Sequence, residues 1–333
     1  MKNEQIVLAK RPEGIPGDDV FRFEDIDVRE PSIGEVLIKP LYISVDPYMR
    51  GRMSDAKSYV APFELDQPLH GHVVGKIMES KNDAFTEGDH VIGILPWQRY
   101  ITVTTDNISK IQNSDVPLHL YLSTLGMTGQ TAYHGLLKIG QPKEGETVVV
   151  SAASGAVGSV VGQIAKIKGA RVVGIAGGEE KVNYLTETLG FDAGVDYKAD
   201  DFAEAFEAAV PDGVDVYFEN VGGEVSDVVL QHLNTFARVP VCGTISSYNN
   251  REDDIGPRIQ SILVKTQALM QGFIVGNYAD DFESAGRQLA EWVQEGRIHT
   301  EVTVEDGFKN IPNAFLNLFE GKNLGKQVVE IEE

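Results

Sequence analysis

Short apolar runs separated by turn residues mark the first part of the chain, up to about residue 125. Runs of this length, bounded by Gly, Pro and Asp, are typical of strands in antiparallel sheets or barrels. The last thirty residues end in another apolar segment, GKQVVEIEE, which we expect to form a strand and to return to this first domain. The strands predicted before residue 125 lie at 35–45, 72–78, 90–96 and 100–103.

From about residue 129, continuous apolar runs alternate with helix-length amphipathic segments. Apolar strands interleaved with helices indicate βαβ units in a parallel sheet. We therefore predict an α/β protein whose second region is a doubly wound domain. The predicted strands lie at 147–151, 171–175, 193–196, 214–221 and 237–243, and the predicted helices end near 168 or span 179–190, 200–210 and about 224–233.

The composition fits a compact soluble protein and disfavours some classes of binding partner. The 333 residues suit two domains, and 42% hydrophobic with 24% charged residues is ordinary. The 29 Lys and Arg against 50 Asp and Glu give a formal charge of −21, which disfavours nucleic acid and anionic membranes as partners. The N-terminus lacks the apolar region of a signal peptide, and no apolar run approaches the roughly 18 residues of a spanning helix. A single cysteine, Cys242, forms no internal disulfide, so we expect a cytoplasmic protein.

The clearest motif is a glycine-rich turn between the predicted strand at 147–151 and the helix after it. It reads Ala153-x-Gly155-x-x-Gly158, and a second strand follows the helix, which is the arrangement of a dinucleotide-binding fingerprint. Such a turn lets the N–H groups at the start of the helix face a pyrophosphate. Ala153 replaces the first glycine of the fingerprint. The alternative is a tight turn that needs glycine only for packing, and the order of the elements favours cofactor binding.

The end of the second strand of this region indicates which nicotinamide cofactor is bound. Enzymes that use NAD commonly place a carboxylate there for the ribose 2′-hydroxyl, whereas this chain reads Ile-Ala-Gly-Gly at 175–178. Glu179 and Glu180 come later, at the predicted start of a helix, where acids favour the helix dipole. Lys181 follows them and is placed to meet a 2′-phosphate. A solvated helix lysine is the alternative, but the missing carboxylate favours NADP.

Residues that follow two later strands are candidates for the same ligand, because a doubly wound sheet binds ligands at the carboxyl ends of its strands. One set is 220–223, which begins with Asn220, and the other is 242–248, which begins with Cys242. A turn role for Asn220 fits about equally well, since two glycines follow it. Cys242 is disfavoured as a nucleophile, because no base is evident and buried cysteines at strand ends are common.

Two histidines are the only hint of a metal site in the sequence. His70 and His72 flank Gly71, but the single cysteine is far away and no third ligand lies nearby. We therefore predict no bound zinc and interpret the remaining histidines as structural.

Several segments in a fixed order resemble the zinc-independent medium-chain dehydrogenase/reductases. Within them the chain looks like the prostaglandin reductase (leukotriene hydroxydehydrogenase) group, which includes bacterial curcumin reductases and plant alkenal double-bond reductases. The combination of DPYMR, GAVG and NVGG in this order is specific to the group. The segments that carry the resemblance lie at 44–53, 126–137, 151–169, 177–185, 218–224, 241–249 and 321–329.

The resemblance implies a GroES-like, β-rich catalytic domain at 1–128, completed by 300–333, and a Rossmann NADP-binding domain at 129–299 in a homodimer. A zinc-dependent relative would have Gly-His-Glu where this chain has Gly71-His72-Val73. The family's cofactor contacts carry over to Gly155, Ala156, Val157 and Gly158 for the pyrophosphate, Lys181 and Tyr197 for the adenosine 2′-phosphate, and Asn220, Cys242, Gly243, Thr244, Ile245, Ser246, Ser247, Tyr248, Phe273, Ile274, Val275 and Asn323 for the rest.

The activity that the resemblance implies is reduction of the carbon–carbon double bond of an enone or enal by NADPH. Hydride transfer to the β-carbon produces an enolate, which a hydrogen-bond donor stabilises. Tyr48 and Tyr248 are the candidate donors, although Tyr48 fits a packed loop anchor about equally well. Where several relatives have a tyrosine, this chain has Lys265, five residues before Met270. Quinone reduction on the same scaffold and a non-catalytic NADP-binding protein are the alternative functions.

Overall fold

The computed structural model describes residues 2–112 and 116–331. The chain divides into two compact units by its internal contacts. The first unit consists of Met1–Leu122, Val302–Asn323 and Gln327–Glu333, and the second of Ser123–Glu301 and Leu324–Lys326. The division expected from the sequence, 1–128 with 300–333 and 129–299, stays a prediction, because contacts alone assign no role to either unit.

Strands and helices of the described residues are numbered in chain order. The strands are β1 (Lys2–Leu8), β2 (Phe21–Asp27), β3 (Glu35–Ser44), β4 (His70–Ser80), β5 (His90–Pro96), β6 (Ile101–Thr104), β7 (Ile108–Lys110), β8 (Thr147–Val150), β9 (Arg171–Ala176), β10 (Ala193–Asp196), β11 (Val214–Phe218), β12 (Leu233–Val241), β13 (Leu269–Gly272), β14 (Val302–Asp306) and β15 (Lys326–Glu330). The α-helices are α1 (Met49–Arg52), α2 (Met127–His134), α3 (Gly158–Ile167), α4 (Glu179–Asn183), α5 (Phe202–Ala209), α6 (Gly223–Leu230), α7 (Gln260–Thr266), α8 (Phe282–Gln294) and α9 (Ile311–Asn317).

The first unit is built on antiparallel strands, as its apolar pattern predicts. Strand β3 pairs with β4, β6 and β15, and β4 pairs with β5, all antiparallel. Val36 and Ile38 of β3 are buried, while Glu35, Leu37 and Lys39 are partly exposed. This period of two buries one face of the strand. The C-terminal strand β15 joins this sheet through β3, so the expected return to the first domain is observed.

The second unit contains a parallel sheet in the order β10-β9-β8-β11-β12-β13. Numbered from β8 onward, this is the order 3-2-1-4-5-6 of a Rossmann fold, which confirms the predicted α/β class. Residues Val148–Val150 are fully buried because helices cover both faces of the sheet. The strand order reverses between β8 and β11, and ligands of such sheets bind at this switch point, outside the carboxyl ends of the strands.

Some predicted elements end earlier in the structure than the sequence suggested. The strand predicted at 214–221 ends at Phe218, and the strand predicted at 237–243 ends at Val241. The helix predicted at 179–190 is α-helical only to Asn183 and continues as a π-helical turn, Tyr184–Thr188. These corrections bring the residues after β11 and β12 into turns rather than strands.

Candidate functional site

The fingerprint turn joins β8 to α3 at the switch point of the sheet. A Cβ atom at Gly158 would collide with the carbonyl oxygen of Ala152, so only glycine lets the helix begin this close to the strand. Gly155, Ala156 and Val157 are partly exposed at the start of the helix. This arrangement fits a pyrophosphate, because the first N–H groups of a helix point outward along its axis and attract an anion.

A segment near the C-terminus packs against the same turn within the second unit. The N–H of Gly325 donates to the carbonyl oxygen of Ser154 at 2.8 Å. A side chain at Gly325 would collide with the backbone of Glu301, and its φ of +64° also favours glycine. Asn323, a predicted cofactor contact, comes two residues earlier and belongs to the first unit.

Lys181 lies in α4, the helix that follows β9, and Tyr197 directly follows the neighbouring strand β10. A Cβ atom at Gly177 would come 2.8 Å from the ring of Tyr197, so the glycine lets this ring lie over the turn after β9. Tyr197 is 44% exposed, which leaves the ring accessible to a ligand. Partial burial lowers the pKa of Lys181, and the positive charge of Lys198 lowers it further. Lys198 was not predicted from the sequence, although it directly follows Tyr197.

A buried carboxylate organises the turn after β11. Glu219 is 1% exposed, and its Oε1 accepts hydrogen bonds from the Ser151 hydroxyl at 3.1 Å and from the N–H groups of Val221 at 2.8 Å and Gly222 at 2.9 Å. The side-chain amide of Asn220 donates to the carbonyl oxygen of Ser151 at 2.8 Å. Asn220 therefore has a structural role in this turn. Glu219 was not among the predicted site residues, and its one signal in the sequence is an acid directly after an apolar strand.

The segment after β12 packs onto this turn. The N–H groups of Cys242 and Gly243 donate to the carbonyl oxygen of Glu219 at 2.8 and 3.2 Å, and the Ser246 hydroxyl donates to the carbonyl oxygen of Val221 at 2.6 Å. Burial raises the pKa of the Cys242 thiol to about 12, and the charge of Glu219 adds to this effect. The thiol is therefore protonated at neutral pH, which argues against a nucleophilic cysteine.

Tyr248 folds back over the start of this segment. A Cβ atom at Gly243 would come 3.0 Å from the phenol oxygen of Tyr248. Between them, Ile245–Ser247 form a 3-10 turn that follows Thr244, and the Ser247 hydroxyl donates to the carbonyl oxygen of Thr244 at 2.9 Å. The structure thus brings Asn220 and Tyr248 to the same edge of the sheet.

The three predicted cofactor contacts at 273–275 differ in how far their side chains are buried. The ring of Phe273 packs edge-on against Phe218, with 6.2 Å between ring centres, and Phe273 is 9% exposed. Its side chain belongs to the core of the second unit, so a cofactor contact would come from its backbone. Ile274 is exposed and Val275 partly exposed. Lys265 lies on α7 and is exposed.

Tyr48 directly precedes α1 in the first unit. Burial raises the pKa of its phenol well above the usual value, the charge of Asp46 adds to this effect, and Arg52 opposes it. Arg50 is 6% exposed and donates to the carbonyl oxygens of Pro12 and Gly14 at 3.3 and 2.9 Å. These bonds fix the loop on which Tyr48 lies.

The histidines that flank Gly71 lie on β4, next to the fully buried Val73. Across residues 2–112 and 116–331, no three His, Cys, Asp or Glu side chains are grouped so that they could hold a metal ion. Every helix in these same residues is too short or too polar to cross a membrane.

Comparison with known proteins gives consistent matches over nearly the whole chain. One family model, described as the N-terminal domain of oxidoreductase, matches residues 4–111, and another, described as zinc-binding dehydrogenase, matches residues 156–291. The NADPH-dependent curcumin reductase of Escherichia coli is 46% identical, over 99% of this chain and 97% of its own. The NADP-dependent 2-alkenal reductase of Nicotiana tabacum is 39% identical, over 99% of this chain and 98% of its own.

A solved structure adds the cofactor to this comparison. CurA from Vibrio vulnificus in complex with NADPH is 45% identical and covers 99% of both chains, with a TM-score of 0.95. The glycine turn, the missing carboxylate after β9 and the cation at Lys181 fit this cofactor. The chain is thus an NADP-dependent oxidoreductase, and it belongs to the medium-chain dehydrogenase/reductase family, in the group of the curcumin, alkenal and prostaglandin reductases.

Proposed function

We propose that this protein reduces the carbon–carbon double bond of α,β-unsaturated ketones or aldehydes with NADPH. The observation that carries the proposal is the similarity, over 99% of the chain, to a curcumin reductase and a 2-alkenal reductase. Curcumin and 2-alkenals share a carbonyl conjugated to a double bond. The substrate class proposed here is therefore the feature that the two named substrates have in common.

The proposed cofactor site uses the carboxyl edge of the parallel sheet. The N–H groups at 155–158 bind the pyrophosphate, and Lys181 with Tyr197 binds the adenosine 2′-phosphate. The turn at 220–223 and the segment at 242–248 follow β11 and β12, on the other side of the switch point from β9 and β10, so we assign them to the nicotinamide half. Phe273–Val275 and Asn323 complete the proposed contacts.

The chain supplies hydrogen-bond donors for the reaction, while bound NADPH supplies the hydride. The candidate donors to the substrate carbonyl oxygen, where negative charge develops as the β-carbon receives hydride, are Tyr48 and Tyr248, and we assign the role to one of them. The phenol that takes this role donates its O–H to that oxygen, and such a donor stabilises the transition state by about 3 to 4 kcal/mol. Protonation at the α-carbon completes the saturated product. The raised pKa of Tyr48 keeps its phenol protonated and able to donate.

A screen of NADPH oxidation over enals, enones and quinones tests this function. We expect the highest kcat/KM with an enone or enal, and mass spectrometry of the product should show two added hydrogens. With NADPH deuterated at the transferred position, the deuterium should appear on the β-carbon. A higher kcat/KM with quinones would replace the proposal by quinone reduction. NADPH binding without turnover of any of the three classes would indicate a non-catalytic protein.

We also propose that the protein is a cytoplasmic homodimer. Strand β13 is the edge of the parallel sheet, and Leu269 on this strand is 49% exposed. Val264 on the preceding helix α7 is 78% exposed. An exposed edge strand flanked by apolar side chains is a template for pairing with another chain, and pairing of two identical edges about a two-fold axis buries the same surface on both copies.

A further inference from the structure

A second lysine lies beside the residues that we assign to the adenosine 2′-phosphate. Lys198 follows Tyr197 in the loop after β10, and its ammonium lies 6.0 Å from the centre of the Tyr197 ring. A Cβ atom at Gly177 would come 2.9 Å from Cε of Lys198. The Lys198 side chain therefore extends over the turn after β9, next to the Tyr197 ring.

The backbone fixes this loop relative to the turn before α4. Oδ1 of Asp196 accepts hydrogen bonds from the N–H of Gly178 and from the N–H of Lys198, both at 2.9 Å. One carboxylate oxygen thus joins the loop that carries Tyr197 and Lys198 to the turn that leads to Lys181. Although the Lys198 side chain is exposed, the position of its Cα is set by these bonds.

The charges at this edge favour an anion with more than one negative charge. Burial lowers the pKa of Lys181 most, the positive charge of Lys198 lowers it further, and the opposite effect of Glu180 is smaller than that of Lys198. The ammonium groups therefore repel each other more than the neighbouring acid compensates. A phosphate monoester carries a charge of about −1.5 to −2 at neutral pH and accepts several hydrogen bonds, so it relieves this repulsion on binding.

We propose that Lys198 is a second cationic ligand of the adenosine 2′-phosphate and thereby a determinant of the preference for NADPH over NADH. This inference rests on the proposed placement of the 2′-phosphate beside Lys181 and Tyr197. NADH carries a neutral hydroxyl in place of the phosphate, so Lys198 contributes to the binding of NADPH alone.

Fluorescence titrations of NADPH and NADH against the whole protein test the role of Lys198. The control is Lys168→Ala, because Lys168 is an exposed lysine of the same unit that follows α3 and precedes β9. Lys198→Ala should raise the Kd of NADPH about 3- to 10-fold, since an exposed charge–charge hydrogen bond is partly screened by solvent. The Kd of NADH should stay within about 2-fold, as should both values in Lys168→Ala.

Two further variants separate charge from fold. Lys198→Arg keeps the charge and should retain most of the NADPH affinity, whereas Lys198→Met keeps the apolar stem and should lose as much as Lys198→Ala. Added NaCl should weaken NADPH binding less in Lys198→Met than in the unmodified protein, because one screened ion pair is missing. Thermal unfolding of each variant verifies that it is folded.

The titrations distinguish a failure of the Lys198 proposal from a failure of the 2′-phosphate placement. If Lys198→Ala and Lys198→Met match Lys168→Ala, or weaken both cofactors equally, the role of Lys198 is wrong. Lys181→Ala should raise the Kd of NADPH about 10- to 100-fold and leave NADH unchanged; without this response the whole 2′-phosphate placement fails. No enone takes part in these titrations, so a failed reductase assay leaves their result unaffected.

Discussion

The two candidate tyrosines have different surroundings. Tyr48 is held by a loop whose Arg50 donates to two backbone carbonyls, and burial keeps its phenol protonated. Tyr248 lies over Gly243 at the end of β12, where the parallel sheet binds its ligand. Lys265, by contrast, is exposed on α7. The loop of Tyr48 is fixed by hydrogen bonds to backbone carbonyls, whereas Lys265 is exposed, so a phenol is better positioned than this ammonium to donate to an enolate oxygen.

Replacing each tyrosine by phenylalanine identifies the donor. The responsible variant, Tyr48→Phe or Tyr248→Phe, should keep its affinity for NADPH while kcat falls about 10²-fold or more, because the phenol acts on charge that develops during the reaction. Lys265→Ala, assayed with the same enone, serves as the comparison. If all three variants retain the unmodified kcat, stabilisation of the oxygen by these residues is excluded.

At single positions, the sequence does not predict contacts with residues that are distant along the chain. Ala153 weakens the fingerprint motif, yet its methyl group packs against Gly174 of β9, where an added Cβ would lie 2.9 Å away. The alanine is tolerated because the neighbouring strand has no side chain at that point. Arg50 is buried although it is charged, because its partners are backbone carbonyls of a loop that is distant in the sequence. Such contacts depend on strand register and loop path, which residue types do not specify.

At the scale of elements, one buried residue, Glu219, joins the ends of three neighbouring strands. Glu219 follows β11, its Oε1 accepts from Ser151 after β8, and its carbonyl accepts from Cys242 after β12. The turns that we assign to the cofactor therefore share one buried anchor. A buried carboxylate is stable only when several donors surround it, so the site is organised before any ligand arrives.

Glu219→Gln tests this anchor. The amide keeps one acceptor oxygen but loses the charge that strengthens the bonds from Val221 and Gly222, so the free energy of unfolding should fall by about 1 to 3 kcal/mol. Affinity for NADPH and NADH should fall by similar factors, because the turns move together. Denaturant unfolding and titration of both cofactors provide the measurements. A loss confined to NADPH, or unchanged stability and binding, would contradict the anchoring role.

The sequence predicted the types and order of most elements better than their ends. An alternating apolar pattern indicates a strand buried on one face, as in the antiparallel sheet. A continuous apolar run indicates a strand buried on both faces, as in the parallel sheet. The end of β11 at Phe218 is set instead by the Glu219 carboxylate, which draws the next N–H groups into a turn. The same carboxylate also accepts from Ser151, which follows β8, so the end of β11 depends on a contact between two segments that the apolar pattern of one segment does not show.

For the whole molecule, the arrangement of histidines predicts that no metal takes part. Val73 occupies the place of a possible ligand after His72, and Cys242 lies in the other unit. Activity should therefore survive exhaustive dialysis against EDTA, and the pure protein should contain less than stoichiometric zinc by mass spectrometry. Loss of activity on chelation, with recovery on adding zinc, would overturn this expectation.

The exposed edge formed by β13 and α7 predicts how two chains associate. If two copies pair through β13 and α7, Val264→Asp places like charges against each other at a two-fold interface and should produce monomers. The substitution should not affect the fold of the single chain, because Val264 is 78% exposed. Ile33→Asp, at a position that is 97% exposed in the first unit, is the matched control and should remain dimeric. Light scattering after size-exclusion chromatography gives the mass of each variant. A monomeric unmodified protein would exclude the dimer, and a dimeric Val264→Asp variant would place the interface elsewhere.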